Sequence, residues 1–130
     1  MHTREEKIAA FGRLLDIMDT LREQCPWNAA QTFESIRPLT EEEVYELSDT
    51  ILKGDRKGTA KELGDLLYHI VFYARIGQEE GAFDIADSHR TAVDLDIVCF
   101  YACLCRTARS RRLVISFLSL SRKRQGESKN

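Results

Sequence analysis

Residues 39–74 read LTEEEVYELSDTILKGDRKGTAKELGDLLYHIVFYA, two helical-looking, carboxylate-rich segments joined by a short basic turn flanked by glycines. The second segment decides the fold. From about Thr59 to Glu79 its apolar residues Leu63, Leu66, Leu67, Ile70, Val71, Phe72, Tyr73, Ala74 and Ile76 cover most of a helical circumference, which predicts a buried helix. The first segment, from about Thr40 to Lys53, carries Val44, Leu47 and Ile51 on one face, and KGDRKG supplies the turn between them. Upstream, Ile8, Phe11, Leu14, Leu15, Met18 and Leu21 recur at spacings of three and four over residues 4–24, a further amphipathic helix. It stops at CPW, where Pro26 biases its predecessor away from helix. The stretch CPWNAAQTFESIRPL is expected to be a loop, longer than most helix connections and carrying Trp27, Phe33 and Arg37. Gly81 in EEGAFDIAD marks a helix end, with a fresh start near Asp84 or Asp87. The class is all-α.

Composition sets outer bounds. The chain has 130 residues, 43% apolar and 31% charged, which fits one soluble globular domain. The charged amino terminus MHTREEKIAAFGRLL lacks the pattern of a signal peptide, so a cytoplasmic location is expected. Cys25, Cys99, Cys103 and Cys105 make a poor disulfide framework and read as reduced thiols. A metal site from C-x3-C-x-C with His89 would lack the usual C-x2-C spacing. Residues 1–87 hold 18 acids against 10 bases, a net −8, and residues 88–130 hold 3 against 9, a net +6. The acidic body argues against a nucleic-acid-coating domain and suits a protein that holds cations for a phosphate-bearing substrate. In the basic tail, LDIVCFYACLC and LVISFLSLS are both too short for a membrane-spanning helix of about 20 residues.

The carboxylates admit three readings. On a helical wheel Asp49, Glu42, Glu46 and Glu43 share a stripe of about 120° opposite Val44 and Ile51, as a solvated face would. Thr40 with Glu43, and Thr59 with Glu62, each match the T-x-x-E capping box, but capping leaves Glu46 and Asp65 unexplained. Glu62 and Asp65 share their face with His69, Phe72, Tyr73 and Ile76, so it meets protein rather than water. Charge in such surroundings must be paired, protonated or bound to metal. Glu43 and Glu46 brought opposite Glu62 and Asp65 would gather four like charges, a repulsion that a hard divalent cation relieves. All-oxygen ligands point to Mg²⁺, with Mn²⁺ as a substitute. Carboxylate-held Mg²⁺ suits phosphate anhydrides, and no P-loop motif is present. Lys53, Arg56, Lys57 and Lys61, in or beside the turn, are candidate phosphate contacts; a solvated turn is the plainer explanation for them.

The ordered set of CPW, E-E-x-x-E at Glu42, Glu43 and Glu46, and ELGDLL with E-x-x-D at Glu62 and Asp65 resembles the MazG-type nucleoside triphosphate pyrophosphohydrolases over about residues 11–87. The resemblance implies a helical bundle of the all-α NTP pyrophosphatase type, completed by pairing between subunits as a homodimer or higher oligomer. It also implies Mg²⁺-dependent hydrolysis of a nucleoside triphosphate to the monophosphate and pyrophosphate, clearing unwanted nucleotides. By motif match Glu43, Glu46, Glu62 and Asp65 would be metal ligands, Glu42 an outer acid that orients water, and Trp27 part of a base pocket. Water activated by metal or by one of the glutamates, Glu42 or Glu43, would attack the α–β phosphate junction. Two departures stand out. Asn28 follows CPW where the family usually has aspartate, and after FDIAD the family's lysine-bearing helix and R-H-P-H-V-F-like segment are missing. Residues 1–87 thus read as the MazG-like helical domain, and 88–130 as a divergent basic tail, out of frame or poorly ordered. Two rivals belong to other classes: a bundle that binds metal, nucleotide or a partner helix without turnover, and a plain helical protein with solvated acids.

Overall fold

The computed structural model describes residues 1–93; the expectations for Cys99, Cys103, Cys105 and the rest of the tail lie outside them. The chain divides into two units, Met1–Ser88 and His89–Asn130. The first unit holds four helices: α1 (Arg4–Gln24), α2 (Pro26–Ala29), α3 (Phe33–Leu52) and α4 (Arg56–Glu79). A further helical stretch opens at 85, where the Asp84 carboxylate accepts from the Ala86 and Asp87 amides at 2.8 and 3.1 Å. No strand occurs among the described residues, so the all-α expectation holds.

α3 and α4 form an antiparallel hairpin. Contacts run from Thr59 with Thr50 beside the turn, through His69 with Thr40, to Phe83 with Phe33 at the far end. The turn is a Schellman motif. Gly54 sits at φ 68°, its amide donates to the Ile51 carbonyl, and the Asp55 amide donates to the Thr50 carbonyl. α1 runs parallel to α4, held by Arg75 on Asp19 and Arg22 on Glu79. Met18, Ile36, Val71, Phe72 and Ile76 form the core where the three long helices meet.

Two helix starts differ from the sequence reading, and so do both threonine caps. α3 begins at Phe33, seven residues before Thr40. Thr32 is its N-cap, in a capping box with Ser35. Pro38 lies inside the helix, where it lacks the amide that would bond to Glu34 and ordinarily breaks the helix. The helix persists because its first two turns are anchored from outside: Ile36 is fully buried and Phe33 stacks on Tyr73, centroids 5.7 Å apart. Thr40 therefore caps nothing; its hydroxyl donates back to the Ile36 carbonyl. Similarly, α4 starts at Arg56 because Asp55 accepts from the Gly58 amide at 2.9 Å; aspartate is a strong N-cap. Thr59 sits one turn in, donating to the Asp55 carbonyl at 2.7 Å.

The apolar circumference of α4 is only partly covered within one chain. Val71, Phe72, Ala74 and Ile76 are buried, whereas Leu63, Leu67 and Ile70, at i, i+4 and i+7, stay exposed, as do Val44 and Ile51 on α3. The expectation of a helix buried all round thus holds for the half of α4 that faces α1 and α3.

Candidate metal centre

The α3–α4 seam brings three of the expected acids together. One carboxylate oxygen from each of Glu43, Glu62 and Asp65 lies within 4.8 Å of the others. Helix geometry explains the grouping: residues three apart share a face, so Glu62 and Asp65 present neighbouring carboxylates from α4, and Glu43 meets them across the antiparallel seam. Glu62 is buried, while Glu43 and Asp65 are half-buried. Glu46 is exposed and lies outside this group; with Tyr45, Asp49, Thr50 and Glu62 it lines an open depression next to it. Glu42 is exposed.

The electrostatics call for positive charge. Two like charges at this separation repel by about 3 kcal/mol at an effective dielectric constant near 20. Burial first, then Asp65, Glu46 and Glu62, push the Glu43 carboxyl above its ordinary value. Its Oε2 is buried with no hydrogen-bond partner, an arrangement that is costly unless some group satisfies the oxygen. Lys61 supplies part of the balance. Its ammonium donates to both Glu62 oxygens at 3.1 and 3.2 Å and to Asp65 Oδ2 at 2.9 Å. One ammonium against three carboxylates leaves the group negative, and Lys61 does not reach Glu43 Oε2. The donor set, all oxygen with one orphaned atom, fits a hard divalent cation.

The other expected contacts fall elsewhere. Lys53 pairs with Asp49 at 2.6 Å, and Arg56 and Lys57 are exposed in the first turn of α4. The expected loop at CPW is instead the short helix α2, with Trp27 exposed on it. Asn28 is buried, and its Oδ1 accepts from the Tyr68 hydroxyl at 3.0 Å. The residue thus keeps an oxygen acceptor where aspartate is usual. Its side chain also hydrogen-bonds the Cys25 thiol and holds it below the ordinary range.

One polar network lies outside these expectations. Thr40 Oγ1 is 3.0 Å from His69 Nδ1 and 2.7 Å from the Tyr73 hydroxyl. A hydroxyl has one proton and two lone pairs, so Thr40 links the Ile36 carbonyl, the Tyr73 hydroxyl and the His69 ring in one network. The only signals in the sequence are the threonine at the head of TEEE, which reads equally as a cap, and the histidine one turn after Asp65. Burial lowers the His69 pKa from its ordinary value of 6.5, against an opposing effect of Asp65. The sign follows: below about pH 6.5 the unfolded chain takes up a proton that folded His69 resists, so stability falls with pH through the window beneath 6.5. Melting temperatures at pH 7.5 and 5.5 are expected to drop more for the native chain than for His69→Gln; equal drops would refute this assignment.

Residues 31–94 match the family described as the MazG nucleotide pyrophosphohydrolase domain, and this segment of the chain belongs to it. The chain is 51% identical over 80 residues to the nucleoside triphosphate pyrophosphohydrolase of Escherichia coli (strain K12), covering 59% of this chain and 30% of that protein. It is 45% identical over 83 residues to the nucleoside triphosphate pyrophosphohydrolase/pyrophosphatase MazG of Thermotoga maritima, covering 62% and 32%. With the nucleoside triphosphate pyrophosphohydrolase of Mycobacterium tuberculosis it shares 41% over 80 residues, covering 58% and 25%. The match spans about a third of the length of the first two relatives. No helix among the described residues is long and apolar enough to cross a membrane.

Proposed function

We propose that this chain hydrolyses nucleoside triphosphates to the monophosphate and pyrophosphate, with Mg²⁺ or Mn²⁺ held by Glu43, Glu62 and Asp65 and approached by Glu46. The observation that carries the reading is the convergence of Glu43, Glu62 and Asp65 on a point where Glu43 Oε2 has no partner. When bound, the cation neutralises the polyphosphate and acidifies water. The residues' own part is to fix this negative cradle on two rigid helices. The proton released as water attacks the α-phosphorus passes to a carboxylate, Glu43 or the exposed Glu42, while the bond from that phosphorus to the bridging oxygen breaks. Lys61, with Lys53, Arg56 and Lys57 along the same end of the hairpin, supplies cations for phosphate oxygens. Trp27 offers an exposed flat ring for a nucleobase.

A second copy completes the bundle in this reading, covering the exposed stripe of Leu63, Leu67 and Ile70 on α4 and the Val44 and Ile51 face of α3. The catalytic helical domain is residues 1–87, and residues 88–130 are a divergent basic tail whose reading frame the coding DNA can check. The substrate class favours a role in clearing nucleotides in the cytoplasm, with neither a nucleic-acid polymer nor a membrane as partner. Purified protein given mixed nucleoside triphosphates and Mg²⁺ should release pyrophosphate. Release no greater than from a Glu62→Ala/Asp65→Ala control would overturn the proposal.

A further inference from the structure

We propose that Arg22 is a positioning residue that clamps the Trp27-bearing turn into one conformation, so that the indole is presented pre-oriented to a nucleobase; this rests on the reading of Trp27 above. The guanidinium is almost wholly buried, its side chain 9% exposed, and all three nitrogens are used. Nε donates to Glu79 Oε1 at 3.0 Å and Nη2 to Glu79 Oε2 at 2.5 Å. Nη1 donates to the Asn28 carbonyl and, at 3.2 Å, to the Gln31 carbonyl. Its carbon lies 5.8 Å from the centre of the Phe72 ring, so the core supports the group from beneath.

Two further ties hold the turn. Gln31 Nε2 donates to the Trp27 carbonyl at 2.9 Å, and the Tyr68 hydroxyl donates to buried Asn28. Backbone and neighbours are thus held from α1 and α4, while Trp27 itself remains 55% exposed. An exposed aromatic on a fixed platform is unusual for packing and useful for binding, because a ligand that stacks on it does not have to order the turn first. The chemistry also requires arginine. The fork grips Glu79 with two donors and still has one nitrogen for the carbonyls, whereas a lysine ammonium is a compact charge without that planar reach. Glu79 anchors the fork and is itself held by Arg75 at 3.1 Å, so its charge stays compensated in an Arg22 variant.

Trp27 is the single tryptophan of the chain, so its fluorescence reads the turn without any need for activity. Arg22→Lys, checked for retained helix content, is expected to show faster depolarisation and stronger acrylamide quenching of Trp27. Its KM for nucleoside triphosphates should rise about tenfold with kcat within about twofold. Should Arg22→Lys not fold, Tyr68→Phe, which keeps the ring and removes only the tie to Asn28, is measured in the same way. Unchanged Trp27 fluorescence would overturn the clamp. A loosened Trp27 with an unchanged KM, or a lower melting temperature as the only effect, would reduce Arg22 to a structural stitch and overturn the positioning role. Trp27→Ala measured alongside separates the two ideas, since an unchanged KM there sinks the base-stacking reading whatever Arg22 does to the fluorescence.

Discussion

Glu62→Gln is expected to cut pyrophosphate release by about 10²–10³-fold, the range for losing one preorganised electrostatic contact to a developing charge. The same variant should show a signature that separates a metal ligand from a surface acid. Without divalent cation it should melt higher than the native chain, because it removes one of three carboxylate charges crowded within 4.8 Å and keeps an amide oxygen that still accepts from the exposed Lys61 ammonium. With Mg²⁺ the order should reverse. A ligand at a hundredfold excess over Kd stabilises by about 2.7 kcal/mol, on the order of 10 °C for a domain of this size, and the native chain alone should gain it in full. Glu42→Gln, altering an exposed acid outside the group, should retain the Mg²⁺ gain whatever happens to its rate. A Glu62→Gln protein that gains as much from Mg²⁺ as the native chain would show that these carboxylates do not share a cation.

How far the sequence reaches is best seen residue by residue. Glu62 and Asp65 are legible because their apolar neighbours on the same helical face exclude a solvated reading, and periodicity is a local property of the chain. Glu43 joins them through spacing alone. Glu46 has the same spacing from Glu43 that Asp65 has from Glu62, yet it stays outside the group, because which acid turns inward depends on the rotation of α3 against α4. That rotation is set by Phe33 on Tyr73 and by buried Ile36, the stacked pair joining residues about 40 positions apart in sequence. The same long-range packing carries α3 through Pro38, where local rules stop the helix. Arg22 is hidden for a related reason. On α1 it reads as one polar residue among several, and its partner Glu79 lies 57 positions away. The Thr40 hydroxyl is ambiguous in sequence because a T-x-x-E match is satisfied equally by a cap and by a mid-helix threonine that faces a buried histidine.

Phe72→Ala should be the most destabilising single change in the first unit. Phe72 is 1% exposed at the junction of α1, α3 and α4, edge-on to Tyr68 with centroids 5.7 Å apart and beneath the Arg22 guanidinium. Truncating a buried phenylalanine costs about 3–5 kcal/mol, against a total of about 5–15 kcal/mol for an ordinary domain. At about 4–8 °C per kcal/mol, the melting temperature should fall by roughly 20 °C, and a drop of only a few degrees would mean that the three helices do not depend on this junction. Phe72→Leu, which retains most of the volume, should lose about 1–1.5 kcal/mol and so remain folded for functional measurements. The two sites should respond to it differently. The carboxylates of Glu43, Glu62 and Asp65 hang on the α3–α4 hairpin, whose turn and capping bonds do not involve Phe72, so the Mg²⁺ gain should persist. Arg22 rests directly on the ring, so Trp27 should loosen. Equal loss of both would place Phe72 under the whole bundle rather than under the α1 junction.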